Sequence, residues 1–124
     1  MTPPRFSPDD LDAFRAAKIL GVRSGSDHRP TGVWVVVVAG RVFVRSWNDR
    51  PTGWFRAIQA EPRGSGRLPD RELPVLGIPT PDEALQRAVT AAYAEKYPTS
   101  GSRKWVEGFA EEARMRTTLE LVPG

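Results

Sequence analysis

The stretch Arg23-Ser24-Gly25-Ser26-Asp27-His28-Arg29-Pro30-Thr31 gathers guanidinium groups, hydroxyls and glycine-freed backbone amides into one short segment. Such a mixture binds a phosphate or another anion through charge-assisted hydrogen bonds. The same residue types also compose an ordinary solvated turn. A second concentration follows at once in residues 33–47, VWVVVVAGRVFVRSW, where Ala39-Gly40 reads as the turn of a β-hairpin. Side chains on a strand alternate between faces, so Val42, Val44 and Ser46 share one face while Arg41, Phe43, Arg45 and Trp47 share the other. A two-residue loop sets Trp34 opposite Arg45; a three-residue loop with Gly40 in a bulge sets Val33 there. In either register Arg45 stands between two aromatic side chains. Its guanidinium can stack on them and still offer its fork to a phosphate or carboxylate. Alternatively, an edge-strand arginine lays its stem over aromatic surface and keeps its head in water. Trp34, Trp47, Trp54 and Phe55 are candidates for stacking on a planar ligand or for filling the core.

Other chemistries lack their residues. The chain has no cysteine, which removes disulfides, thiol catalysis and thiolate metal sites. His28 is its only histidine and lies in a polar loop, with no HExxH spacing and no nucleophile elbow around any serine, so no metal site or catalytic triad is expected. Net charge is +3, but residues 23–71 carry nine arginines against Asp27, Asp49, Glu61 and Asp70, a local excess of five positive charges. That asymmetry favours a small anionic partner. The overall charge is too low to predict a nucleic-acid-binding role. No apolar run approaches the roughly 20 residues that span a bilayer, and residues 1–6 lack the apolar core of a secretory signal, so a cytoplasmic protein without membrane attachment is expected.

The elements that must position these residues follow from caps and periodicity. At 124 residues the chain is read as one domain. Ser7-Pro8-Asp9-Asp10 starts a helix over about 7–17. A barrel core over about 19–78 holds a first strand at 19–23, the hairpin, a short helix or turn at 54–62, and two strands around Pro69-Asp70 whose prolines suggest a sheet edge. Thr80-Pro81-Asp82-Glu83 predicts a helix over about 80–97, capped by Thr80 with Glu83 as its capping-box partner. Residues 104–113 suggest a short helix bearing Trp105 and Phe109, and a closing strand is expected over about 114–122. The order of helix, strands, helix and final strand indicates the α+β class with a mostly antiparallel sheet or barrel.

One resemblance spans most of the chain from about Ile19. Arg23-Ser24-Gly25, Arg29-Pro30-Thr31, the valine-rich hairpin and Trp54-Phe55-x-x-Ile58-x-Ala60-x-Pro62 occur in order, followed by Tyr93-x-x-Lys96-Tyr97 and the ending Arg116-Thr117-Thr118-Leu119-Glu120-Leu121-Val122-Pro123. In that order and spacing the sequence resembles an uncharacterised bacterial domain family of the flavin-binding split β-barrel superfamily, related to the deazaflavin-dependent nitroreductases. The resemblance implies a mostly antiparallel split β-barrel with flanking helices that binds FMN or a deazaflavin, often at a homodimer interface. It further implies that Arg23, Ser24, Arg29 and Thr31 lie near the cofactor phosphate, and that Arg45, Ser46, Trp54 and Phe55 lie near its ring or tail. The cofactor would then carry a hydride to a small substrate, which explains why no acid-base set is needed in the chain. The competing expectation keeps the fold and makes it a non-catalytic module for a hydrophobic anion or other small ligand.

Overall fold

The computed structural model describes residues 4–25, 29–47 and 53–124; the predicted loop residues 26–28 and 48–52 lie outside these. Ala39 (φ 51°) and Gly40 (φ 73°) both adopt the left-handed conformation of a type I′ turn. They join β3 (Val35–Val38) to β4 (Arg41–Val44), with Val38 opposite Arg41 and Val35 opposite Val44. The loop therefore has two residues, and one further step of the register sets Trp34 opposite Arg45.

Around this hairpin stand β1 (Leu20–Ser24), β2 (Thr31–Val33), β5 (Arg63–Arg67), β6 (Glu72–Pro79) and β7 (Leu119–Pro123). All pairings are antiparallel, and the seven strands run in the order β2-β1-β5-β6-β7-β4-β3. The two outermost strands, β2 and β3, are consecutive in sequence and separated by Trp34 alone. A sheet whose ends are joined by one residue must curl until they meet, which makes this a nearly closed barrel. Helices α1 (Pro8–Ala16), α2 (Trp54–Ala60), α3 (Glu83–Lys96), α4 (Arg103–Phe109) and α5 (Glu112–Met115) flank it. None of the described helices is long and apolar enough to cross a membrane.

The alternation along the hairpin divides the hydrophobic core into two. Val35, Val42 and Val44 join Leu20, Val22, Val33, Val75, Leu119 and Leu121 inside the barrel, closed by Phe14 of α1 and by Phe55 and Ile58 of α2. Val36 and Phe43 point the other way and pack beneath Val89 and Tyr93 of α3, its C-cap residue Tyr97, and Phe109 of α4. The same helix α3 seals the seam between β2 and β3. The Val35 amide donates to the Tyr97 hydroxyl (3.3 Å), whose own proton goes to the Lys18 carbonyl (2.7 Å). Tyr93 donates to the Trp34 carbonyl (3.2 Å), and the Lys96 ammonium donates to the carbonyls of Val35 (2.6 Å) and Phe14 (3.0 Å). Backbone groups that a sheet ladder would have satisfied are met here by side chains.

Three expectations are corrected. The strand predicted for an edge is β6, which is interior: Pro74 is tolerated there because its carbonyl receives the Gly124 amide (3.0 Å), so its missing N–H faces the place where β7 runs out. Asp82, not Thr80, caps α3, accepting from the Leu85 amide at 3.1 Å. Thr80 instead prolongs the β6–β7 ladder, its amide donating to the Thr118 carbonyl at 3.1 Å. Finally, the segment expected as strand from about 114 begins in the helical turn α5, and β7 starts only at Leu119. Its alternation extended past a turn in which Thr117 and Thr118 bond back to the carbonyls of Arg114 and Met115.

An alanine with positive φ is strained by its Cβ, whereas asparagine tolerates this conformation. Ala39→Asn should therefore raise unfolding stability by about 0.5–1 kcal/mol in urea titrations, and an unchanged or lower midpoint would refute the strain. Lys96 makes a second prediction. Burial lowers its amine from the ordinary 10.5 to about 8, so between these values the unfolded chain binds more protons. Stability from this group must rise with pH across that window, while Tyr93 and Tyr97, raised by burial from 10.0, act in the opposite sense at higher pH. The urea midpoint of the wild type should gain on that of Lys96→Met as pH increases from 8 to 10; parallel profiles would exclude this titration.

Candidate functional site

The kink at Trp34 and the end of β4 open onto a cavity of about 480 Å³. Its walls come from Ile19 and the Thr31 to Trp34 segment on one side, Arg45, Ser46 and Trp47 beyond β4, Gly53 and Trp54 at the start of α2, and Trp105 and Phe109 on α4. The chain has four tryptophans, and all of them line this one space. They also border the core, Trp54 packing against the barrel cluster and Trp34 and Trp47 against the cluster under α3. Trp47 meets Trp105 edge-on at 4.6 Å and Phe109 at 5.4 Å, while Trp34 stacks flat on Tyr97 at 4.0 Å. Ile19 (51% exposed) and Trp105 (42% exposed) are the large hydrophobic residues most open to solvent among those described, and both belong to the cavity. Its volume and aromatic lining suit a small-molecule site.

Trp47 is fixed from two sides. The Arg114 guanidinium lies 3.5 Å from its ring centre and donates to its carbonyl at 3.1 Å, while Glu111 holds that guanidinium at 2.7 Å. Below the ring, α4 presents Gly108, where an added Cβ would overlap the indole edge of Trp47. The helix can bring Phe109 under Trp47 only because position 108 has no side chain.

Arg45 is the ionisable side chain among the described residues lining the cavity, and it is 1% exposed. Its Nε donates to the Thr118 hydroxyl (2.8 Å), Nη1 to the Thr90 hydroxyl (2.7 Å) and the Phe109 carbonyl (2.9 Å), and Nη2 to the Gln86 carbonyl (2.6 Å). Burial lowers its pKa to about 10, which leaves it charged at neutral pH. This overturns the expectation of an arginine whose head stays in water. The head does not reach water, and four of the five guanidinium N–H groups already have protein acceptors.

The eight residues expected at a cofactor site separate. Thr31, Arg45, Ser46 and Trp54 line the cavity. Arg23 turns instead to the Ser65 hydroxyl (3.3 Å) and Glu72 (3.4 Å), and Arg29 is exposed. The Ser24 hydroxyl is buried against the Ala57 and Glu61 carbonyls (3.0 and 2.8 Å) at the end of α2, and Phe55 packs inside the barrel. The alternation of successive residues explains both splits: Trp54 and Phe55 begin one helix and diverge by its turn. Ile19, Gly32, Val33, Trp105 and Phe109 were not among the expected site residues. The four-residue spacing of Trp105 and Phe109 signals one helical face, but nothing in it says which surface that face covers. No group of His, Asp or Glu side chains able to hold a metal occurs among the described residues.

Fold and site together define a small antiparallel barrel with one aromatic-walled cavity beside its seam. Within that class, the chain belongs to the bacterial family DUF2255, described as an uncharacterised protein conserved in bacteria, whose model matches residues 10–121. No curated protein matches the chain. Among solved structures it is similar to the conserved hypothetical protein Rv2991 from Mycobacterium tuberculosis, with a TM-score of 0.56 and 14% identity over 98% of this chain and 81% of that one. At this identity the likeness is one of fold.

Gly108→Ala tests the fit between α4 and Trp47. The methyl group must displace the indole or the helix, an overpacking expected to cost about 1–3 kcal/mol and to shift tryptophan emission to longer wavelength. A variant with unchanged stability and emission would refute the close approach.

Proposed function

We propose that the protein is a small-molecule-binding domain whose cavity takes a planar aromatic ring, with the flavin or deazaflavin ring as the leading ligand class on the strength of the sequence resemblance to the flavin-binding split barrels. The observation that carries this reading is the convergence of all four tryptophans on one cavity. Indole faces stack on planar rings and exclude water from them. When bound, a flavin supplies the hydride chemistry of an oxidoreductase. The chain's contribution is to stack the ring and to place the hydroxyls of Thr31 and Ser46 and the charge of Arg45 around it. The phosphate end has weaker support, because of the four residues expected there only Thr31 lines the cavity. The same analogy makes the protein a cytoplasmic homodimer.

Titration with FMN, riboflavin and a deazaflavin, followed by tryptophan quenching, tests this directly. Saturable binding at micromolar concentration is expected, with FMN and riboflavin within roughly threefold of each other because Arg23, Ser24 and Arg29, the cations and hydroxyl expected at the phosphate, do not line the cavity. Absence of saturable quenching by all three would overturn the ring-binding proposal. A strong preference for FMN would restore Arg23 and Arg29 to the site.

A further inference from the structure

Among the described cations, several arginines pair with carboxylates. Arg41 makes a two-point contact with buried Glu120 (2.7 and 3.0 Å), Arg23 meets Glu72, Arg114 meets Glu111, and Arg71 holds Asp9, Asp10 and Asp70. Arg45, the most deeply buried of them, has hydroxyls and carbonyls alone for partners. Those acceptors satisfy its hydrogen bonds but bring no opposite charge. An ion removed from water without a counter-charge is costly, and buried arginines are normally paired. This one borders the cavity.

We infer that Arg45 forms an anion subsite at the base of the aromatic cavity, so that the natural ligand is a planar aromatic acid whose negative end lies on the Arg45 side. The inference rests on the reading that the cavity binds a planar ring and adds the sign of the ligand's charge. One N–H on Nη2 has no assigned acceptor, and the neighbouring Thr31 and Ser46 bring hydroxyls to the same space. Two further cations lie on the aromatic wall: Arg114 over Trp47 at 3.5 Å and Lys104 over Trp105 at 5.8 Å. No carboxylate lies among the described residues lining the cavity. The anion would complete the electrostatics of Arg45, and the indoles would hold the ring.

The test is calorimetric titration of the intact protein with 2-naphthoate and 2-naphthamide, which share a ring system and differ in charge. The naphthoate should bind about tenfold or more tightly than the amide. Equal binding of both would overturn the anion subsite while leaving the ring-binding cavity intact, whereas binding of neither would overturn both. Arg45→Met should abolish the preference, and a folded variant that keeps it would refute the assignment. Since Arg45→Met removes four internal hydrogen bonds that join α3, α4 and the segment before β7, Lys104→Met supplies an independent check. The preference must survive in that variant; its loss would move the subsite to the cavity mouth and overturn the assignment to Arg45.

Discussion

The architecture depends on closure at Trp34. Strands adjacent in sequence occupy opposite ends of the sheet order, so a single residue must turn the chain from one edge to the other. At that corner the ladder is interrupted, and its backbone groups would be stranded without Tyr93, Lys96 and Tyr97. All three come from the last turn of α3 and its C-cap residue Tyr97. The motif Tyr-x-x-Lys-Tyr is thus the seam of the barrel in linear form. Because the seam is held by side chains and not by a continuous ladder, it leaves room beside it, and the cavity occupies that room.

Position and chemistry are linked through Arg45. Its acceptors belong to α3, α4 and the segment preceding β7, so one guanidinium joins three parts of the chain to the end of β4. Cross-linking by a charge differs from cross-linking by an apolar side chain. The hydrogen bonds fix the surrounding elements in place, and the charge remains as a field at the cavity wall. Structural and recognition roles therefore reside in the same side chain.

Local patterns made much of this fold legible. Ser7 caps α1 as its sequence context indicates, its hydroxyl oxygen accepting from the Asp10 amide, and period-two alternation along the hairpin assigns Val42 and Val44 to one core and Phe43 to the other. The order of the strands rests on pairings distant in sequence that no local pattern encodes. What stayed hidden depends on contacts distant in sequence. Pro74 looks like an edge residue until the end of β7 is known to lie beside it. Ser24 and Arg23 have the chemistry of an anion loop, yet the pairing of β1 with β5 directs them toward α2 and Glu72. In the site, the tryptophans at 34, 47 and 54 were recognisable as a group, whereas Trp105 joins them only through the docking of α4. No short-range rule specifies that docking; the absence of a side chain at Gly108 permits it.

The seam also imposes an order on folding. The bonds from Lys96 and Tyr97 to Val35 span 61 and 62 residues, so β2 and β3 are made long before the helix that covers their edges. Until α3 arrives, the valine-rich β3 and the short β2 each present an unpaired strand edge, the kind of surface that recruits other chains. Tyr93, Lys96 and Tyr97 consequently act as a late guard against intermolecular pairing, a service to the nascent protein that is separate from anything the finished barrel binds.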